Sequence, residues 1–62
     1  MELTVKQARQ FANKTQLQMA NLLDIHVDTY RKIEKKPDAA TICQAKKISE
    51  ITGVPYDKIF FS

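Results

Sequence analysis

Val27, Asp28, Thr29, Arg31, Lys32, Lys35 and Lys36 fall within one short stretch of the chain. These residue types suit hydrogen bonding to a surface rather than bond making. A carboxylate such as Asp28 accepts from an amine such as cytosine N4, and a lysine such as Lys32 donates to guanine N7 and O6. A side chain such as Val27 packs on a thymine methyl. Thr29 and Arg31 flank this set and suit either bases or phosphates. Asp28 and Lys32 also stand four apart, the spacing of an intrahelical ion pair on a solvated face. Both readings of that pair are open from the sequence. The one histidine, His26, has no nucleophile near it in the chain, and a single glycine, Gly53, builds no phosphate-cradling loop. An enzyme is not expected.

Such a set works only on a rigid rod held away from the body. The window from Gln16 to Ile33 carries the pattern for one. Met19 and Leu23 stand one helical turn apart, and Tyr30 and Ile33 stand three apart. Ala20 is small where a second helix must approach closely. This is the layout of a helix-turn-helix, whose second helix can enter the major groove of DNA. Turning Tyr30 and Ile33 inward leaves Val27, Asp28, Arg31, Lys32 and Lys35 pointing out. Val27 and Asp28, at the helix start, then reach deepest, with Lys32 one turn behind.

Three segments share one start signal: Thr4-Val5-Lys6-Gln7, Thr15-Gln16-Leu17-Gln18 and Thr41-Ile42-Cys43-Gln44. In this capping box the threonine hydroxyl accepts from a free backbone N–H one turn on, and the glutamine reaches back to the threonine N–H. Helix 1 is predicted over 5–12, with Val5, Ala8 and Ala12 on one face and Asn13 in the left-handed position beyond it. Helix 2 is predicted over 16–23, closed by Asp24, and helix 3 over 27–34, flanked by His26. Pro37 pushes Lys36 out of helical geometry. Helix 4 is predicted over 42–52, with Ile42, Ala45 and Ile48 facing in, joined by Ile51 or Thr52, and with Gly53 ending it. A short helix 5 is predicted over 56–60, opened by Pro55. None of the five is long enough to stand alone, so they must share one core, with helices 2 and 3 clamped on helices 1 and 4.

The bulk properties agree with a single domain of 62 residues. Apolar residues make up 44%, which argues against disorder. The net charge of +3 is compatible with a polyanionic partner, and Arg31, Lys32, Lys35 and Lys36 concentrate it. One cysteine, Cys43, excludes an internal disulfide, and nothing near it in sequence activates it as a redox sensor. One cysteine and one histidine build no metal site, and no cofactor or small-molecule ligand is expected. No apolar run resembles a signal peptide or is long enough to span a membrane, so a reducing cytoplasm is the default expectation.

With these residues placed, the chain resembles the phage-repressor and Cro-type helix-turn-helix family, also called the xenobiotic-response-element type. The resemblance runs over residues 4–60. Thr15-Gln16 followed by Met19-Ala20 is similar to the family's helix 2 opening. Thr29-Tyr30-Arg31-Lys32-Ile33-Glu34 is similar to the end of its helix 3, and Gly53-Val54-Pro55-Tyr56-Asp57-Lys58-Ile59-Phe60 is similar to its closing segment. Asp24 stands where the family favours glycine, as do Asn13 and Lys36 in many members. Lys14 replaces a leucine, which thins the core. Lys36 is the least forgiving of these, so a different exit path from helix 3 is expected.

The resemblance implies an all-α, compact five-helix, lambda-repressor-like domain over residues 1–62. It implies an ion pair between Arg9 and Glu34, which the sequence alone leaves as surface charges. It also implies that Gln16 bonds a phosphate and braces helix 3. Lys14, Lys35 and Lys36 lie on the flanks and suit phosphate contact, as does His26 when protonated. Phe11, Phe60 and Phe61 are expected to seal the end of the domain, with a dimer contact as a further use. The expected function is a sequence-specific regulator of transcription bound to double-stranded DNA, a homodimer on a palindromic operator and a monomer when dilute. Because the chain stops soon after helix 5, a compact Cro-type phage or prophage repressor is the leading form. The alternatives are an antitoxin-like protein-interaction module on the same fold and a controller protein of a restriction system.

Overall fold

The core forms where short helices turn small and apolar side chains onto one another. A computed structural model describes residues 2–61. Four α-helices build most of it: α1 Val5–Phe11, α2 Gln16–Leu23, α3 Val27–Lys35 and α4 Ile42–Thr52. Pro37–Ala39 and Tyr56–Lys58 are 3-10 turns. Two short strands, β1 Leu3–Thr4 and β2 Ile59–Phe60, pair in parallel, with Leu3 opposite Ile59 and Thr4 opposite Phe60.

All three capping boxes close. Thr4, Thr15 and Thr41 accept from the backbone of Gln7, Gln18 and Gln44, and each glutamine returns a bond to its threonine N–H. Each box satisfies backbone donors that a helix start leaves open. The exits are left-handed turns. Asn13 and Asp24 both sit at φ 57°, and Gly53 at φ 74°. After α1, Lys14 N–H donates to Arg9 O; after α2, Ile25 N–H donates to Ala20 O. These are the six-to-one bonds of a Schellman ending, which occupy the last helical carbonyls. Lys36 avoids the left-handed region, at φ −136°, and leads straight into the turn begun by Pro37.

The buried core joins Val5 and Ala8 of α1, Met19 and Ala20 of α2, Tyr30 and Ile33 of α3, and Ile48 of α4, with Val54 and Ile59 from the closing segment. α2 packs on both α3 and α4, and α1 packs on α4. Ala20 is 1% exposed, so its methyl lies at the close approach that a larger side chain would force open. Burying each large apolar side chain contributes about 1.5–3 kcal/mol. The buried Thr52 is satisfied: its hydroxyl donates to Ile48 O and accepts from Val54 N–H. No helix is long and apolar enough to cross a membrane among the described residues.

Five expectations are corrected. The described residues form four α-helices, not five. The segment predicted as a fifth helix over 56–60 makes one 3-10 turn and then becomes β2. A single helical turn has too little cooperativity to persist, and Ile59, buried against the core, gains backbone pairing with Leu3 instead. α1 ends at Phe11, one residue early, because Ala12 already begins the turn, whereas α3 runs one residue further, to Lys35. Ile42 does not face in: it is 70% exposed. Helical side chains tilt toward the N-terminus, so the first residue of α4 points past the end of the core. Phe11 and Phe60 are exposed rather than sealing the domain, and Phe61 stacks on Tyr56 with ring centroids 5.5 Å apart.

Candidate nucleic-acid interface

α3 is held by its inward side and its start. Tyr30 and Ile33 are buried, which pins the helix to α1 and α2. His26 is the N-cap: its Nδ1 accepts from Asp28 N–H at 3.1 Å. The outward side presents Asp28, Thr29, Arg31, Lys32 and Lys35, all exposed, with Lys36 exposed just beyond. Nine residues make a rod about 13 Å long, comparable with the width of a B-DNA major groove. Val27 departs from the expected pattern. It is half-buried and packs against the core, as do Leu23 and Ile25 at the turn before it.

A polar network fixes the rod's orientation. Arg9 Nε donates to Glu34 Oε2 at 2.6 Å, and Arg9 Nη1 donates to Lys14 O at 2.9 Å. Gln16 Nε2 donates to Glu34 Oε1 at 2.9 Å. Arg31 Nε donates to Gln16 Oε1 at 3.3 Å, and Arg31 Nη1 donates to Asp28 Oδ1 at 3.1 Å. The chain of bonds therefore runs from α1, through the end and middle of α3 and the start of α2, out to the exposed tip of α3. Burial pushes the Glu34 carboxyl up, but hydrogen bonds from its neighbours, Arg9 foremost, outweigh this and hold it below the usual glutamate range. Burial pushes the Tyr30 phenol well above its usual range, and the neighbouring Glu34 carboxylate adds to this. The Tyr30 hydroxyl lies buried beside that carboxylate yet completes no hydrogen bond in good geometry.

An open cleft of about 290 Å³ lies over this network, lined by Lys6, Gln16, Arg31, Glu34 and Lys35. Both Glu34 oxygens are already engaged, so the cations dominate the lining. α2 begins at its edge with Gln16, and the first N–H groups of a helix attract anions. Lys6 went unnoticed in the sequence; its spacing of three from Arg9 places it on the same side of α1, and that was the available signal. Asp28 pairs with Arg31 rather than Lys32, and among the described residues no carboxylate pairs with Lys32, Lys35 or Lys36. Lys14 is half-buried, with its carbonyl held by Arg9. Cys43 is exposed near the start of α4, remote in sequence from this face, beside Gln44 and Lys47.

A helix-turn-helix family model matches residues 5–59. The chain belongs to the Cro-type helix-turn-helix family. No curated protein and no solved structure matches it. As a member of this family it is a DNA-binding regulator, and its partner is double-stranded DNA. Within a helix-turn-helix domain, α2 and α3 are the motif and α3 is the helix whose outward side is free to meet base edges. The network centred on Glu34 adds polar ties from that helix to α1 and α2, beside the packing of Tyr30 and Ile33.

Proposed function

We propose that the protein is a sequence-specific transcriptional repressor of the Cro type, of phage or prophage origin, that occupies a palindromic operator as a dimer. The observation that carries this reading is the division of α3: Tyr30 and Ile33 are buried, while Asp28, Thr29, Arg31 and Lys32 stand exposed on the other side. In this reading Asp28, Thr29, Arg31 and Lys32 meet base edges. Val27, half-buried, offers only the edge of its side chain to a thymine methyl. Gln16, Lys35 and Lys36 meet phosphates on the flanks, joined by Lys14 and His26. Operator occupancy then blocks or redirects RNA polymerase.

Energetics favour two copies. Two or three good base contacts at about 1–3 kcal/mol each fall near or below the roughly 4–10 kcal/mol that separates specific from non-specific sites. Doubling the contacts on a palindrome closes the gap, with half-sites about 34–36 Å apart. Selection of bound sequences from a random duplex pool tests the reading. The expected result is an enriched palindrome whose affinity falls steeply with salt as counterions are released. A pool that stays random, with binding indifferent to salt, would overturn it.

A further inference from the structure

Arg31 is folded back onto its own domain. Its two hydrogen bonds go to Asp28, one turn before it on α3, and to Gln16 at the start of α2. The arginine and aspartate side chains are 56% and 68% exposed. A solvated pair of this kind is favoured by no more than about fivefold in equilibrium. It opens whenever either member meets a better partner, and the two members want opposite things from DNA. Arg31 is drawn to phosphates and guanine edges. Asp28 is repelled by phosphates and satisfied only by a base that offers an amine, cytosine N4 or adenine N6.

We propose that Asp28 is a specificity gate for Arg31, which rests on the DNA-binding reading above. On a duplex with the wrong bases no amine reaches Asp28. The pair stays closed, Arg31 is withheld from the phosphates, and Lys32, Lys35 and Lys36 alone carry the attraction. On the right sequence a base amine takes over the carboxylate. Arg31 is then released, with Gln16 beside it, to donate to a phosphate or to guanine. The gate thus weakens binding to the many wrong sites more than to the right one, and specificity is that ratio. Its parts sit on two elements whose relative position Glu34 holds, through Arg9 on one oxygen and Gln16 on the other.

The test is a double-mutant cycle with Asp28→Ala, Arg31→Ala and the pair combined, read as affinity for a random-sequence duplex across a salt series. Asp28→Ala should bind the random duplex about fivefold more tightly and steepen the salt dependence by about 0.9 in log–log slope, one added phosphate contact. Adding Arg31→Ala should remove both gains. The proposal is overturned if Asp28→Ala changes neither quantity. It is equally overturned if the gain persists without Arg31, since loss of a repelling charge then explains it. Wild-type protein that binds no duplex at low salt overturns the DNA-binding reading and the gate together; wild-type binding without coupling overturns the gate alone.

Discussion

Arg9 and Glu34 stand 25 residues apart in the chain and meet at 2.6 Å, with side chains 12% and 6% exposed. The bond joins α1 to the end of α3. A charged pair that is nearly out of water gains little over an apolar substitute, but losing one member strands the other. Arg9→Ala is therefore expected to cost about 3 kcal/mol, a large share of the stability of a domain this small. Urea unfolding of the variant checks it, and an unchanged midpoint would show the pair to be dispensable.

The same carboxylate sets an acid limit. Glu34 titrates below its ordinary value of 4.5 in the folded protein, so the stability it contributes is fully present above that pH and is lost as pH falls through the folded value. Melting temperature should decline below pH 4.5, and Glu34→Gln, already lower at neutral pH, should decline less steeply. Parallel curves for the two proteins would assign the acid sensitivity elsewhere.

Asp24 holds φ 57° at the end of α2 and carries a negative charge at the negative end of that helix. Asp24→Gly relieves both the conformation and the charge. A gain of about 1 kcal/mol is expected, with about half of that for Asn13→Gly, which relieves the conformation alone. Thermal melts compare the two directly; a destabilised Asp24→Gly would mean that the aspartate makes a compensating contact.

Tyr30 separates packing from polarity. Tyr30→Phe keeps the ring and deletes a buried hydroxyl that lacks a well-formed bond, so stability should change by less than about 1 kcal/mol. Tyr30→Ala should cost about 3–5 kcal/mol through the cavity it leaves. A large loss in the phenylalanine variant would reveal a working bond from the hydroxyl to Glu34.

Lys6 and Lys32 should behave differently on DNA. Lys6→Ala is expected to weaken binding to every duplex by one factor and to flatten the salt slope by about 0.9. Lys32→Ala should instead relax the preference at one operator position, worth about 1–3 kcal/mol. Selections on a random pool with both variants distinguish them; identical, sequence-independent losses would move Lys32 to the phosphates.

The helices were legible because their signals are local. Thr15 and Gln18, or Thr41 and Gln44, are three apart, and a capping box needs nothing from the rest of the chain. Asn13, Asp24 and Gly53 likewise end helices through their own backbone preferences. The inward residues of α3 followed from helical period. The Arg9–Glu34 contact lay beyond such rules and came only through family resemblance.

What the sequence alone determined is thus the four helices α1 to α4, the helix-turn-helix that α2 and α3 make, and, Val27 apart, the side of α3 that faces out. These depend on contacts within a turn or two of chain, where spacing dictates geometry. The tertiary structure decided the rest. It turned residues 59–60 into a strand because Leu3 was there to pair with, drew Val27 toward the core, and left Ile42 outside it. It chose Arg31 over Lys32 for Asp28, because Gln16, brought alongside by packing, holds the arginine from its other end. Each choice is a competition among partners distant in sequence, and only the folded chain brings the competitors together.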